Sequence, residues 1–332
     1  MISQTEYLPR RVIQIVSGSR SGSSLLKAVL AGSPDLDALS GEEEPYFGMC
    51  GEGYGLTSLD DSLHRVRHPA LFRRMVYADL TAEDRWGWRL PMQYAGPLLA
   101  RLLDANPPGD PAADEAWLRR EGVWGNYDGA EAPLPFAGRP AYEMRPYVRP
   151  LPPRGRLTGT LLLKAPYTVY RPGVLEGIFP GAEFNYVVLT RNPAATINGL
   201  IAGWRSPFFH KHLTPHGWWK FDLPPGWTDY ATAPVPERCW YQWHSSYERI
   251  APRGGTVVKF EGLLADAGRT VTDVCRALGI EPPPRRGLPL VMATEAPAPF
   301  RWRRRAAEIL PLLGRSRELI NRLNYGDESQ WV

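Results

Sequence analysis

The segment Arg11 to Val16 (RVIQIV) is short, apolar and β-branched, and it stops abruptly at SGSRSGSS, residues 17–24. A run of this kind before a glycine-rich turn reads as a buried strand. Beyond the turn, Leu25, Leu26, Val29 and Leu30 recur at the spacing of one helix face until Gly32-Ser33-Pro34 ends the pattern. Strand, glycine loop and helix thus open the chain. Free N–H groups and the positive end of the helix dipole make such a loop a place for a phosphate.

Further short apolar runs at Thr160 to Lys164 (TLLLK), Phe184 to Thr190 (FNYVVLT) and Thr256 to Phe260 (TVVKF) read as strands. Helical patterns near Val169 to Phe179, Pro236 to Ile250, Thr270 to Leu278 and Ala306 to Leu323 alternate with them, which implies parallel pairing. The expected class is α/β, a central parallel sheet of four or five strands flanked by helices. Trp240, Trp243, Tyr247 and Ile250 fall on one helix stripe and read as core. The stretch 46–156, with helical patterns near Leu59 to Leu80 and Leu90 to Asp104, reads as an insertion within a single domain of 332 residues. A second unusual stretch, 204–232, interleaves Trp204, Trp218, Trp219, Phe221, Trp227 and Tyr230 with prolines. It fits either a lid lining an acceptor site or packing under a long loop.

Composition removes several classes. No apolar run approaches the roughly eighteen residues of a membrane span. The N-terminus has neither a long apolar stretch nor a small-residue cleavage site, so a cytoplasmic location is expected. Cys50, Cys239 and Cys275 form no CxxC pair, and a net charge of +4 is too weak to suggest nucleic-acid binding. His210, His212 and His216 have no acidic or cysteine partner at ligand spacing, and His64 with His68 lacks the HExxH glutamate, so no metal is expected. Among 39 basic residues only five are lysines (Lys27, Lys164, Lys211, Lys220 and Lys259), leaving 34 arginines; each lysine therefore calls for an explanation.

In the loop itself, Gly22 lets the backbone approach an anion, Ser21, Ser23 and Ser24 add hydroxyl donors, and Arg20 adds a fixed charge. It is not a Walker A loop, because only three residues separate Gly18 from Gly22 and a serine follows the second glycine. Arg20-Ser21-Gly22-Ser23-Ser24-Leu25-Leu26 instead resembles the first signature of sulfotransferases that use 3'-phosphoadenosine 5'-phosphosulfate (PAPS). Three later segments extend the resemblance: Arg191-Asn192-Pro193 after a strand, Lys164-Ala165-Pro166 after another, and Val258-Lys259-Phe260-Glu261-Gly262-Leu263. Trp302-Arg303 and Leu323-Asn324-Tyr325-Gly326 are similar to the family's C-terminal segment.

The resemblance implies a P-loop nucleotide-kinase-like sulfotransferase fold and transfer of a sulfuryl group from PAPS to a hydroxyl of a small or medium acceptor. It leaves adenosine 3',5'-bisphosphate (PAP) as product and calls for no metal. Arg20, Ser21, Gly22, Ser23, Ser24 and Leu25 would hold the 5' side, Arg191 the 3'-phosphate and Lys164 the bridging oxygen. Glu43, in Ser40-Gly41-Glu42-Glu43-Glu44, is the implied base, with Glu42 and Glu44 as alternatives. Two departures stand out. Gly199 occupies the position of a serine that shares the 3'-phosphate, leaving Asn198 or backbone N–H groups as substitutes, and Phe260 replaces a tyrosine. One of Arg301 to Arg305, otherwise the exposed face of a helix, or Arg285 or Arg286, is a further candidate for the 3'-phosphate. The acceptor is open: a natural product suits an aromatic lid, whereas a peptide tyrosine, sugar or lipid alcohol is also compatible. A nucleotide-dependent kinase and a non-catalytic bisphosphate-binding protein are the competing functions.

Overall fold

The computed structural model describes residues 5–39, 42–43, 46–47, 68–81, 156–171, 173–205, 210–214, 216–251, 254–284, 288, 299–327 and 331. Most of 46–156 and of the proline-rich stretch 281–299 therefore lies outside the described residues. In chain order the elements are β1 (Arg11–Val16), α1 (Ser23–Leu30), β2 (Asp37–Ala38), α2 (Pro69–Thr81), β3 (Thr160–Leu163), α3 (Val174–Ile178) and β4 (Glu183–Thr190). They continue with α4 (Pro193–Arg205), β5 (His210–Thr214), β6 (Gly217–Lys220), α5 (Val235–Ile250), β7 (Thr256–Lys259), α6 (Phe260–Ala265), α7 (Ala267–Leu278), α8 (Ala306–Leu313) and α9 (Arg317–Arg322).

Five strands form one sheet in the order β2-β3-β1-β4-β7, and every pairing is parallel. Central strands are apolar on both faces because both are covered. Ile13, Ile15, Leu162, Val187 and Leu189 pack beneath Leu25, Leu26 and Leu30 of α1 and Val271, Val274 and Leu278 of α7. Their neighbours turn to the other side, where Val12, Leu161 and Leu163 meet Phe72 and Val76 of α2. On that same side Val16 and Val188 meet α4 and α5. The stripe Trp240, Trp243, Tyr247 and Ile250 is buried in this last cluster.

The expected strands are present with small changes. Phe260 opens α6 instead of ending β7, and β2 is a fifth strand of two residues, too short to carry a periodic signal. The helix expected at Val169 to Phe179 is instead a 3-10 turn at Pro166–Tyr170 and the short α3, because Gly173, with φ 84°, interrupts it. The helix expected over Ala306 to Leu323 divides at a 3-10 turn, Gly314–Ser316. Within 204–232, β5 and β6 pair as an antiparallel hairpin.

Parallel pairing has one consequence for function. The segments leaving β1, β2, β3, β4 and β7 all emerge on the same edge, and β1 lies where the chain's crossovers diverge to its two sides. Ligands of open α/β sheets bind at that crevice.

Candidate active site

The turn after β1 is held open by its backbone. Arg20 (φ 65°) and Gly22 (φ 94°) both lie in the left-handed region. At Gly22 a Cβ would stand 2.2 Å from the Phe260 ring, so glycine is required by space as well as by conformation. Helix α1 starts at Ser23 without a side-chain cap, and Leu26 N–H makes an early intrahelical bond to Gly22 O (3.1 Å). The first-turn N–H groups of Ser23, Ser24 and Leu25 are those a helix leaves for an anion. Ser21 is fully buried, and its Oγ lies 2.8 Å from the Tyr247 hydroxyl of α5.

Lys164, immediately after β3, joins this turn to the acidic segment. Its Nζ donates to Ser24 Oγ at 3.2 Å and pairs with the Glu42 carboxylate, while its N–H donates to Glu43 Oε2 at 2.9 Å. Glu43 is fully buried, and its Oε1 has no hydrogen-bond partner among the described residues. Burial pushes the Glu43 carboxyl up to about 7, against the opposing pull of the Lys27 ammonium and of the backbone N–H groups. Lys27 is itself buried on α1; desolvation lowers its pKa, and Glu43, Glu42 and Asp79 act to raise it. Glu44 lies outside the described residues.

Arg191 follows β4 and reaches the same turn. Its Nη1 donates to Arg20 O at 3.1 Å, and its guanidinium stacks 4.5 Å from the centroid of Phe260. Burial lowers the guanidinium to about 10; the Glu261 charge opposes the shift and the Arg301 charge adds to it. Glu261 accepts from Asn192 N–H (2.7 Å) and from the Tyr325 hydroxyl (2.7 Å), tying the C-terminal segment to the site. Gly199, half-buried on α4, would set a Cβ 3.4 Å from Arg20 Cβ. Beside it, Asn198 Oδ1 accepts from Arg305 Nη1 at 2.5 Å.

The family model of the sulfotransferase family matches residues 13–284, a span that contains the turn, Lys164, Arg191 and Glu261. The chain belongs to the sulfotransferase family. Among solved structures, a sulfotransferase from Alicyclobacillus acidocaldarius is 15% identical, covering 97% of this chain and 98% of its own, with a TM-score of 0.38. A sulfotransferase from Mycobacterium avium is 14% identical, covering 95% and 76%, with a TM-score of 0.40. The sulfotransferase domain of the Synechococcus PCC 7002 olefin synthase is 19% identical, covering 85% and 77%, with a TM-score of 0.36. A comparison with curated proteins finds no match. Among the described residues of this sulfotransferase, no helix is long and apolar enough to cross a membrane.

The sulfotransferase brings Arg20, Ser21, Gly22, Ser23, Ser24, Leu25, Glu43, Lys164, Arg191 and Gly199 to one edge of the sheet. Arg301 to Arg305 form a 3-10 turn, not the exposed face of a helix, with Arg303 and Arg304 exposed and Arg301 and Arg305 half-buried. In the aromatic stretch, Trp219 and Phe221 are buried, and Trp219 meets Trp204 edge to face at 5.2 Å. The side chains at 206–215, 217 and 218 lie outside the described residues.

Sequence reasoning missed several residues of the sulfotransferase site. Asp222 is buried and accepts from Ser19 Oγ and from the Tyr170 hydroxyl (2.8 Å), fastening the segment after β6 to the turn. No local pattern announces it. Tyr247 read only as core, yet its hydroxyl serves Ser21. Lys27 carried one signal, the rarity of lysine, and one geometric hint, its spacing from Ser24.

Proposed function

We propose that this sulfotransferase moves a sulfuryl group from PAPS to a hydroxyl of a small or medium acceptor, releasing adenosine 3',5'-bisphosphate. The observation that carries this reading is the position of Lys164, whose ammonium touches Ser24 of the turn while its N–H holds Glu43. Donor loop, cation and proton acceptor are thereby within one side chain of each other. The sulfotransferase family generally uses PAPS, and the site fits such a donor: a glycine cradle, first-turn N–H groups and a separate cationic pocket at Arg191.

In the proposed step the acceptor oxygen bonds to sulfur as the bond between sulfur and the 5'-phosphate oxygen breaks, and the electron pair leaves on that phosphate oxygen. Lys164 and Arg20 offset the charge that develops there. Glu43 Oε1 takes the acceptor proton, a role worth roughly 10² to 10⁴ in rate. Ser21, Gly22, Ser23, Ser24 and Leu25 hold the 5' side, and Arg191 holds the 3'-phosphate. Asn198 with Arg305 supplies polar groups next to Gly199, which lacks a hydroxyl.

Calorimetric titration with adenosine 3',5'-bisphosphate, and separately with ATP and Mg²⁺, tests the donor. The expected result is micromolar bisphosphate binding that Arg191→Ala weakens, with ATP much poorer. Tight ATP binding without bisphosphate preference would instead indicate a kinase.

A further inference from the structure

A buried carboxylate stands between the donor turn and the turn that follows Lys164. Asp222, two residues beyond β6, accepts from Ser19 Oγ at Oδ1 and from the Tyr170 hydroxyl at Oδ2, the latter at 2.8 Å. A carboxylate accepts with both oxygens, and here each oxygen serves a different segment. Asp222 is itself fixed from behind. Its backbone carbonyl accepts from Trp219 Nε1 at 2.9 Å and from Gln242 Nε2 at 2.6 Å, and Gln242 Oε1 in turn accepts from Trp204 Nε1 at 2.8 Å. All of these side chains are buried, so losing any one bond strands a polar group away from water.

The arm through Tyr170 leads to Lys164. The 3-10 turn Pro166–Tyr170 begins two residues after Lys164, and Thr168 ties it down: its N–H and its Oγ1 both donate to Ala165 O, at 3.2 and 2.7 Å. Gln14, the polar residue within the apolar run of β1, donates from Nε2 to Thr168 Oγ1 at 2.8 Å. Tyr170 and Lys164 are thus two ends of one braced turn. The arm through Ser19 leads to the donor turn. Beside the bonded pair, Arg20 and Phe221 both hold left-handed backbones (φ 65° and 60°), with the Arg20 guanidinium 5.9 Å from the centroid of the Phe221 ring. Residues other than glycine keep that conformation only where their surroundings impose it.

We propose that Asp222 is a positioning residue for the transfer: by holding Ser19 with one oxygen and Tyr170 with the other, it sets how closely Lys164 Nζ approaches the donor turn, which it meets at Ser24 Oγ, 3.2 Å away. The inference rests on the reading of Lys164 as the cation at the 5'-phosphate. Asp222 acts through Ser19 and Tyr170.

Tyr170→Phe keeps the ring and removes only the hydroxyl. NMR of lysine labelled at Cε has five signals to resolve, and Lys164→Arg assigns that of Lys164. Adenosine 3',5'-bisphosphate titrated into the wild type is expected to shift the Lys164 signal. In Tyr170→Phe the Lys164 signal of the free protein should itself move, and its response to saturating bisphosphate should fall by about half or more. Calorimetry should give an affinity within about threefold of the wild type, because Ser19 still holds the donor turn. A Lys164 signal and response equal to those of the wild type overturn the proposal, whatever the substitution does to stability. If Tyr170→Phe does not fold, Ser19→Ala breaks the other arm: roughly tenfold weaker binding with a reduced Lys164 response at saturation supports the proposal, and a full response overturns it. A wild type that fails to bind bisphosphate removes the PAPS donor. The Lys164 signal of the free protein then still decides, by moving or not moving in the two variants.

Discussion

The Arg191 guanidinium donates to the carbonyl oxygen of Arg20 at 3.1 Å, so the end of β4 and the turn after β1 are joined across a separation of 171 residues. The contact couples the two halves of the proposed donor site. Arg191 braces the left-handed Arg20 while its own charge stays at the place proposed for the 3'-phosphate. Arg191→Ala should weaken bisphosphate binding by roughly 10- to 100-fold, the loss expected for a charge-assisted hydrogen bond with its brace. Arg191→Lys should recover only part of it, because lysine keeps the charge and loses the planar stack on Phe260. Calorimetry on the three proteins checks the order.

Gly22 and Phe260 form a steric pair. An alanine at 22 meets the ring at 2.2 Å and adopts an unfavourable φ, so Gly22→Ala should lower stability by about 1–3 kcal/mol and abolish bisphosphate binding. Phe260→Leu in the same chain should restore part of the stability, since it removes the clash and not the φ strain. Denaturant unfolding of the double-mutant cycle measures the recovery.

At Gly199 there is room for a side chain: a Cβ at 3.4 Å from Arg20 Cβ is ordinary contact. Gly199→Ser should therefore fold normally and tighten bisphosphate binding by up to about tenfold, one added hydrogen bond. Weaker binding would show that Asn198 and Arg305 already fill that position.

Glu42 and Glu43 should separate in kinetics. Glu43→Gln is expected to lower turnover by roughly 10² to 10⁴ and spare bisphosphate binding, whereas Glu42→Gln, which frees Lys164, should leave turnover within about tenfold. The pH dependence follows from burial. With Glu43 as the proposed base, activity should rise with pH through about 7. Stability runs the other way. The folded protein holds the Glu43 proton more tightly than the unfolded chain, so the contribution is present below 4.5 and lost as pH rises through about 7. The melting temperature of Glu43→Gln should accordingly exceed that of the wild type at pH 8 and converge toward it near pH 5.

Asp222 accepts from Ser19 and Tyr170 inside the protein. Asp222→Asn retains the shape but replaces one acceptor by donors, leaving a buried hydroxyl without its partner. The expected loss is about 1–3 kcal/mol of stability, together with weaker bisphosphate binding because the turn is less firmly held. Unchanged affinity would confine Asp222 to a structural role. Thermal unfolding and calorimetry together distinguish these results.

Local chemistry explains what was legible in the sequence. RVIQIV, TLLLK and FNYVVLT are continuous apolar runs because buried parallel strands need side chains on both faces, and SGSRSGSS carries its glycines where the backbone must turn. The breaks in the later helices were less readable: a Pro-Gly pair or a single glycine weakens a helix without marking where it ends, and the 3-10 turns at 166–170 and 314–316 are products of packing. The hairpin of β5 and β6 was hidden by its aromatic residues, which serve a buried strand and a loop-covered core equally well.

The sequence by itself determined the glycine turn after β1, the parallel pairing of the strands, and the residue types placed after each strand. These follow from spacing, backbone freedom and periodic burial over a few residues. Only the tertiary structure decided that Glu43, not Glu42, is the fully buried carboxylate held by Lys164 N–H. Burial and charge act through space. The groups that shift the Glu43 carboxyl come from α1, from its own segment and from the residue after β3, and are brought together only when the sheet closes its crevice.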